Sequence, residues 1–235
     1  QAEAVVSLRE SIVVAGFCNV DADRLLVEAH FHYAVALATS NGVDHMEALR
    51  ETAQAFTDII KGLCRKFTNA IVELRATAGV LHTHSIPDVP REMLLQLEIH
   101  LPNSLSWDDI RERVQPIAAE QHMSEVKYSL VMSMLRVLEG DLDGGRVSFD
   151  HMIELCMAIN TKMCTVNGQT IYTDPRPFDY WVFLRNILPD LDSWAPEEVA
   201  DAFHNKIMGS LELLDSEMDR NNREFKEWTP GVRRR

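Results

Sequence analysis

Apolar residues recur at helical spacing through most of this chain. Ala4 to Phe17 carry them three and four apart and predict a first helix. Asn19 to Asp23 supply cap-type side chains ahead of a more uniformly apolar segment, Leu25 to Leu37. Ser40-Asn41-Gly42 interrupts that segment, and Asp44 stands where an N-cap would open the next helix. There Met46, Leu49, Ala53, Phe56, Ile60, Leu63, Phe67, Ile71 and Leu74 make one stripe, predicting a helix of about 30 residues.

Gly79 to Pro90, with Pro87 and Pro90, breaks the pattern and is the best boundary between regions. Helical spacing resumes over Arg91–Leu101, Trp107–Ala119, Ser124–Leu138 and Phe149–Lys162. Thr165 to Tyr172 alternates around Asn167-Gly168, the signal of a small β-hairpin, which Pro175 and Pro177 end. Phe178–Leu188 is an aromatic-rich helix, and Ser193 with Pro196-Glu197-Glu198 reads as the start of a last one running towards Met218. The expectation is an all-α fold with one small β-hairpin. A helical N-terminal region (1–80) containing a helical hairpin precedes a helical domain (91–220) and a polar, basic tail (221–235).

Composition narrows the role. With 46% apolar and 25% charged residues, the 235-residue chain is ordinary for a globular protein. A net charge of -13 removes the basic footprint that nucleic-acid binding requires and suits a basic partner or a cation. No apolar run is long enough to span a bilayer, so any membrane association would come through a membrane complex. Ser11 to Phe17 lacks the basic flank and small-residue cleavage pattern of a leader. Cys18, Cys64, Cys156 and Cys164 form no CxxC pair and read as thiols of a reducing, intracellular compartment, cytoplasmic or mitochondrial.

One stretch carries more specific chemistry. In Leu135 to Ile159, helical faces flank a short acidic turn in which Glu139, Asp141 and Asp143 alternate. Gly144 follows them, Val147 is apolar, and Phe149-Asp150 opens a further helical pattern. This resembles an EF-hand, whose calcium loop needs alternating oxygen ligands, a glycine at the turn and a closing acid. Under that resemblance Glu139, Asp141, Asp143 and Asp150 are the metal ligands. The extra glycine at Gly145 and the missing closing glutamate imply at most weak calcium binding, and no other cofactor. A second half-match, Ser104 to Ile110, lacks the early carboxylates; there Leu105 takes the apolar position, with Trp107 and Asp109 following. The resemblance implies that Leu105, Trp107, Val147 and Phe149 pack two degenerate loops together. A fainter echo puts Trp194 and Glu198 at the corresponding positions.

The same residues are also similar to another family. Glu139 to Val147, with Arg146 after a glycine, resembles the first homology box of the B-cell-lymphoma-type apoptosis regulators, and Leu49 to Phe56 is similar to their third. That likeness implies a hydrophobic groove binding an amphipathic death-motif helix, with Arg146 as its charge contact. Gly144 replaces that family's tryptophan and Gln54 its characteristic acid.

Catalytic motifs do not stand out: GxSxG, Walker A and GxGxxG are all missing from the sequence. His30 and His32, two apart on a helical segment, face different sides, and His82 and His84 have no third ligand nearby. Phe178, Tyr180, Trp181 and Phe183 read as core with an exposed edge. The expected role is non-catalytic: a binding or scaffold protein, an accessory subunit that holds other subunits or a partner helix between helix pairs.

Overall fold

A computed structural model describes residues 22–40, 42–77, 115–157, 163–166, 169–172 and 177–227. Six helices carry it: α1 (Ala22–Thr39), α2 (Met46–Thr77), α3 (Gln115–Leu138), α4 (Leu142–Met157), α5 (Pro177–Ile187) and α6 (Glu197–Glu227). Short 3-10 turns, Gly42–His45 and Leu188–Ser193, lead into α2 and out of α5. Two four-residue strands, β1 (Met163–Val166) and β2 (Gln169–Tyr172), pair antiparallel with Met163 opposite Tyr172 and Val166 opposite Gln169. The fold class is all-α.

Local sequence explains most of the boundaries. The stripe from Met46 becomes one 32-residue helix, and Leu49, Phe56, Leu63 and Phe67 are its buried line. Pro177 sits at the first position of α5, where its missing N–H costs nothing. Pro196 precedes Glu197 and Glu198, whose charges favour the positive end of α6, and its carbonyl accepts from the N–H groups of Val199 and Ala200. Expectation and structure differ at α3. Trp107–Ala119 and Ser124–Leu138 are expected as separate helices, but Gln115–Leu138 is continuous through Gln121 and His122. Both of those polar residues are buried.

The reason is the position of α3. It packs against α1, α2 and α4, and from Gln121 to Val137 most of its circumference is buried. Two of its serines bond within the helix: Ser124 Oγ donates to the Glu120 carbonyl and Ser129 Oγ to that of Glu125. His122 Nε2 donates to the carbonyl of Leu155 at 3.1 Å, tying α3 to the far end of α4, and its ring meets Tyr180 edge-on. One hydrophobic cluster runs from Val27 on α1 to Leu214 on α6. Within it Phe149 and Phe203 stack with centroids 3.7 Å apart, joining α4 to α6, while Phe31 meets Phe183 across α1 and α5. Residues from the expected 1–80 and 91–220 regions therefore share a core. The boundary at Gly79–Pro90, the expected helices 4–17 and 91–101, and the tail beyond Glu227 lie outside the described residues.

Candidate functional site: the α3–α4 turn and the groove beside it

The acidic turn is tighter than a calcium loop. The chain leaves α3 at Leu138 and re-enters a helix at Leu142, so only three residues connect the two. Gly140 has φ +87°, a left-handed conformation that glycine adopts without steric cost. Its N–H donates to the Val137 carbonyl at 3.0 Å, and the Asp141 N–H to that of Arg136 at 2.8 Å, the paired bonds of a Schellman motif. Asp141 then turns from the end of one helix to the start of the next. Its carboxylate accepts from the Gly144 N–H at 2.9 Å, and its carbonyl from the Gly145 N–H, as an N-cap does.

Both following glycines have a packing reason. A Cβ on Gly144 would lie 2.0 Å from the Asp141 carboxylate and displace the cap. A Cβ on Gly145 would lie 2.4 Å from Val137 Cγ2, because α4 crosses α3 closely there. Ser133 Oγ donates to the Gly145 carbonyl at 2.8 Å across the same contact.

In the structure the four carboxylates of the ligand set expected from the EF-hand resemblance have separate surroundings. Glu139 accepts from Arg50 Nε and Nη2, the shorter bond 2.6 Å; Asp141 caps α4; Asp143 is exposed beside Arg146, 3.7 Å away; and Asp150 pairs with Lys206 of α6. α4 begins at Leu142, so Asp143 and Asp150 are helical positions while Glu139 and Asp141 precede it. Among the described residues, no three His, Cys, Asp or Glu side chains come together as a metal site needs. Val147, expected to pack against a second loop, is 64% exposed, while Phe149 is fully buried against Phe203. Leu105 and Trp107 lie outside the described residues. In the faint third match, Trp194 is buried on Phe203 and Glu198 is exposed in the first turn of α6.

A groove opens elsewhere, between α1, α3 and α5, and Leu63 and Lys66 of α2 also line it. Its cavity of about 810 Å³ has Phe31, Met123, Phe183 and Ile187 among its lining residues, with Glu28 and Asp179 among its polar ones. Lys127 of α3 lies in it with only 7% of its side chain exposed. Its ammonium donates to Glu28 Oε1 at 2.5 Å and lies 5.5 Å from the centre of the Phe31 ring. Removing a lysine from water this far requires a partner, and Glu28 supplies it across two helices. Among the described residues, the other oxygen, Glu28 Oε2, has only His32, 3.9 Å away. At one side Phe178, 57% exposed, stacks on Trp181, and the Arg185 guanidinium lies 5.0 Å from the Trp181 ring.

Arg146, the residue the apoptosis-regulator likeness singles out, does not line this groove. The Arg50–Glu139 pair does join the two stretches that carry that likeness, 89 residues apart in sequence. Sequence reasoning missed Glu28 and Lys127. One signal was present: Glu28 is the single acid in the run from Leu25 to Ala38, which is apolar apart from it, His30, His32 and the Tyr33 hydroxyl, and a helix apolar on most sides is a buried one.

His30 and Cys156 titrate away from their ordinary ranges, and neither lines the groove. Burial holds the His30 imidazole below the usual histidine range; its buried Nδ1 has no hydrogen-bond partner among the described residues, and the ring tilts towards Phe56 of α2. Burial also pushes the Cys156 thiol well above its usual range, which makes it a poor nucleophile.

No family model matches the chain, and no match was found among curated proteins or solved structures. No described helix is long and apolar enough to cross a membrane.

Proposed function

We propose that the protein is a non-catalytic helical binding module, an accessory or scaffold subunit that holds an amphipathic partner helix in the groove between α1, α3 and α5. The observation that carries this reading is the groove itself: aromatic and aliphatic side chains line it, polar ones stand among them, and four helices contribute to its lining. A partner helix laid along it would bury Phe178 and Val182 and complete a bundle in which α3 is the centre. The turn at Glu139–Asp141 is scaffolding in this reading. It sets the angle of α4 and binds nothing.

A photo-crosslinking residue at Val182 tests it against the same residue at Met208, which is exposed on α6 outside the groove. The expected result in cells is one identifiable partner, attached through a single helical segment at Val182 and not at Met208. Equal labelling at both positions, or none at Val182, would reject the groove.

A second reading has one observation in its favour, the Arg50–Glu139 contact between the two box-like stretches. It makes the chain an apoptosis-regulator-like bundle whose ligand is a death-motif helix. Submicromolar binding of such a helix, lost on Arg146→Ala and retained on Val182→Asp, would select it over the first.

A further inference from the structure

Resting on the groove reading, we infer that the occupant is a basic amphipathic helix, held by lysine or arginine side chains at Glu28 and Asp179. Three features of the groove point to that sign of charge. Lys127 is buried and already neutralised by Glu28 Oε1, so it offers an incoming acid little. Glu28 Oε2 keeps open acceptor capacity, since His32 at 3.9 Å is beyond hydrogen-bond reach and the carboxylate side chain is 41% exposed. Asp179, half-buried in the first turn of α5, makes no hydrogen bond or ion pair among the described residues.

Arg24, Lys66 and Glu120 also line the groove, and Lys66 and Glu120 have interactions of their own. Locally the signs are therefore nearly balanced, and the whole-chain charge of -13 decides. Its field draws cationic partners and repels acidic ones, while the two open carboxylates fix register once the apolar face is seated.

The test uses three designed helical peptides that share one leucine-rich face and differ in the polar face, which is lysine, glutamine or glutamate. Binding to the full chain is read by fluorescence anisotropy at low and at physiological salt. The lysine-faced peptide is expected to bind at least tenfold tighter than the glutamate-faced one, with the gap narrowing as salt rises. Asp179→Asn should weaken it about threefold, the scale of one partly exposed ion pair. Val182→Asp and Phe178→Ser should abolish it. Phe178 is exposed enough for its variant to fold even where the other does not. Tighter binding of the glutamine- or glutamate-faced peptide, still lost on Phe178→Ser, would overturn the charge inference and leave the groove reading standing. Failure of all three peptides to bind would overturn both. Lysine-faced binding indifferent to Phe178→Ser and Asp179→Asn would be adhesion to the acidic surface at large, and would also overturn the inference.

Discussion

Four residues in a row of six, Gly140, Asp141, Gly144 and Gly145, set the α3–α4 turn, and each has a separate physical task. Gly145 is confined by helix packing, because the methyl of an alanine would meet Val137 Cγ2 at 2.4 Å where two helices touch. Gly145→Ala should therefore destabilise by about 1–3 kcal/mol, the usual cost of overpacking, and valine by more. Asp141→Ala removes a cap and should cost about 1 kcal/mol, whereas Asp141→Asn keeps the acceptor and most of the stability. Urea unfolding measures all of these, and a neutral Gly145→Ala would mean that α4 does not cross α3 as closely as described.

His30 yields a pH prediction at the same scale. Its imidazole is held neutral in the fold, so the unfolded chain takes up a proton at a higher pH than the native one. The stability tied to neutral His30 is thus fully present above the ordinary histidine value of 6.5 and is lost as pH falls below it, towards the lower folded value. His30→Phe should flatten the decline between neutral pH and pH 5 relative to the native chain. An unchanged slope would assign the decline to other groups.

At the scale of elements, what was legible in the sequence was whatever local chemistry dictates. The Met46 stripe gave α2 its length, and Pro177 and Pro196 marked the starts of α5 and α6, because periodicity and caps act within a few residues. The turn at Glu139–Asp141 was legible as a turn and misread as a loop. Alternating acids before a glycine pair serve a calcium ligand set and an N-cap equally well, and only the partners decide between them. Here those partners are Arg50, the Gly144 N–H and Lys206, two of them more than fifty residues away in sequence. The groove was illegible for the same reason: Glu28 and Lys127 are 99 residues apart, and nothing local announces that they meet. If the turn is a cap and a hairpin, millimolar calcium should leave the thermal midpoint where EDTA leaves it. A calcium-dependent rise of several degrees would restore a binding site at this position.

For the molecule as a whole, the deciding feature is that α3 packs both on α1 and α2, which precede it, and on α4, which follows it. It contacts α1 and α2 on one side and α4 on another, and the hydrophobic cluster passes through it from Val27 to Leu214. An N-terminal hairpin folding independently of the rest would expose Leu37, Leu49 and Phe56, all buried now, and would also strip Val126, Leu130 and Val131 of cover. Neither part then keeps a core, so the described helices should unfold as one unit. Leu37→Ala tests this at a distance. Leu37 is on α1, whereas Trp194, buried against Phe203, reports on the α6 side. The truncation should cost about 2–5 kcal/mol as a buried leucine cavity, and the loss should appear equally in the tryptophan fluorescence transition and in the far-UV circular dichroism transition. Two separated transitions, with fluorescence unmoved by Leu37→Ala, would divide the chain into independent units. The groove between α1, α3 and α5 would then have one wall able to detach from the other two.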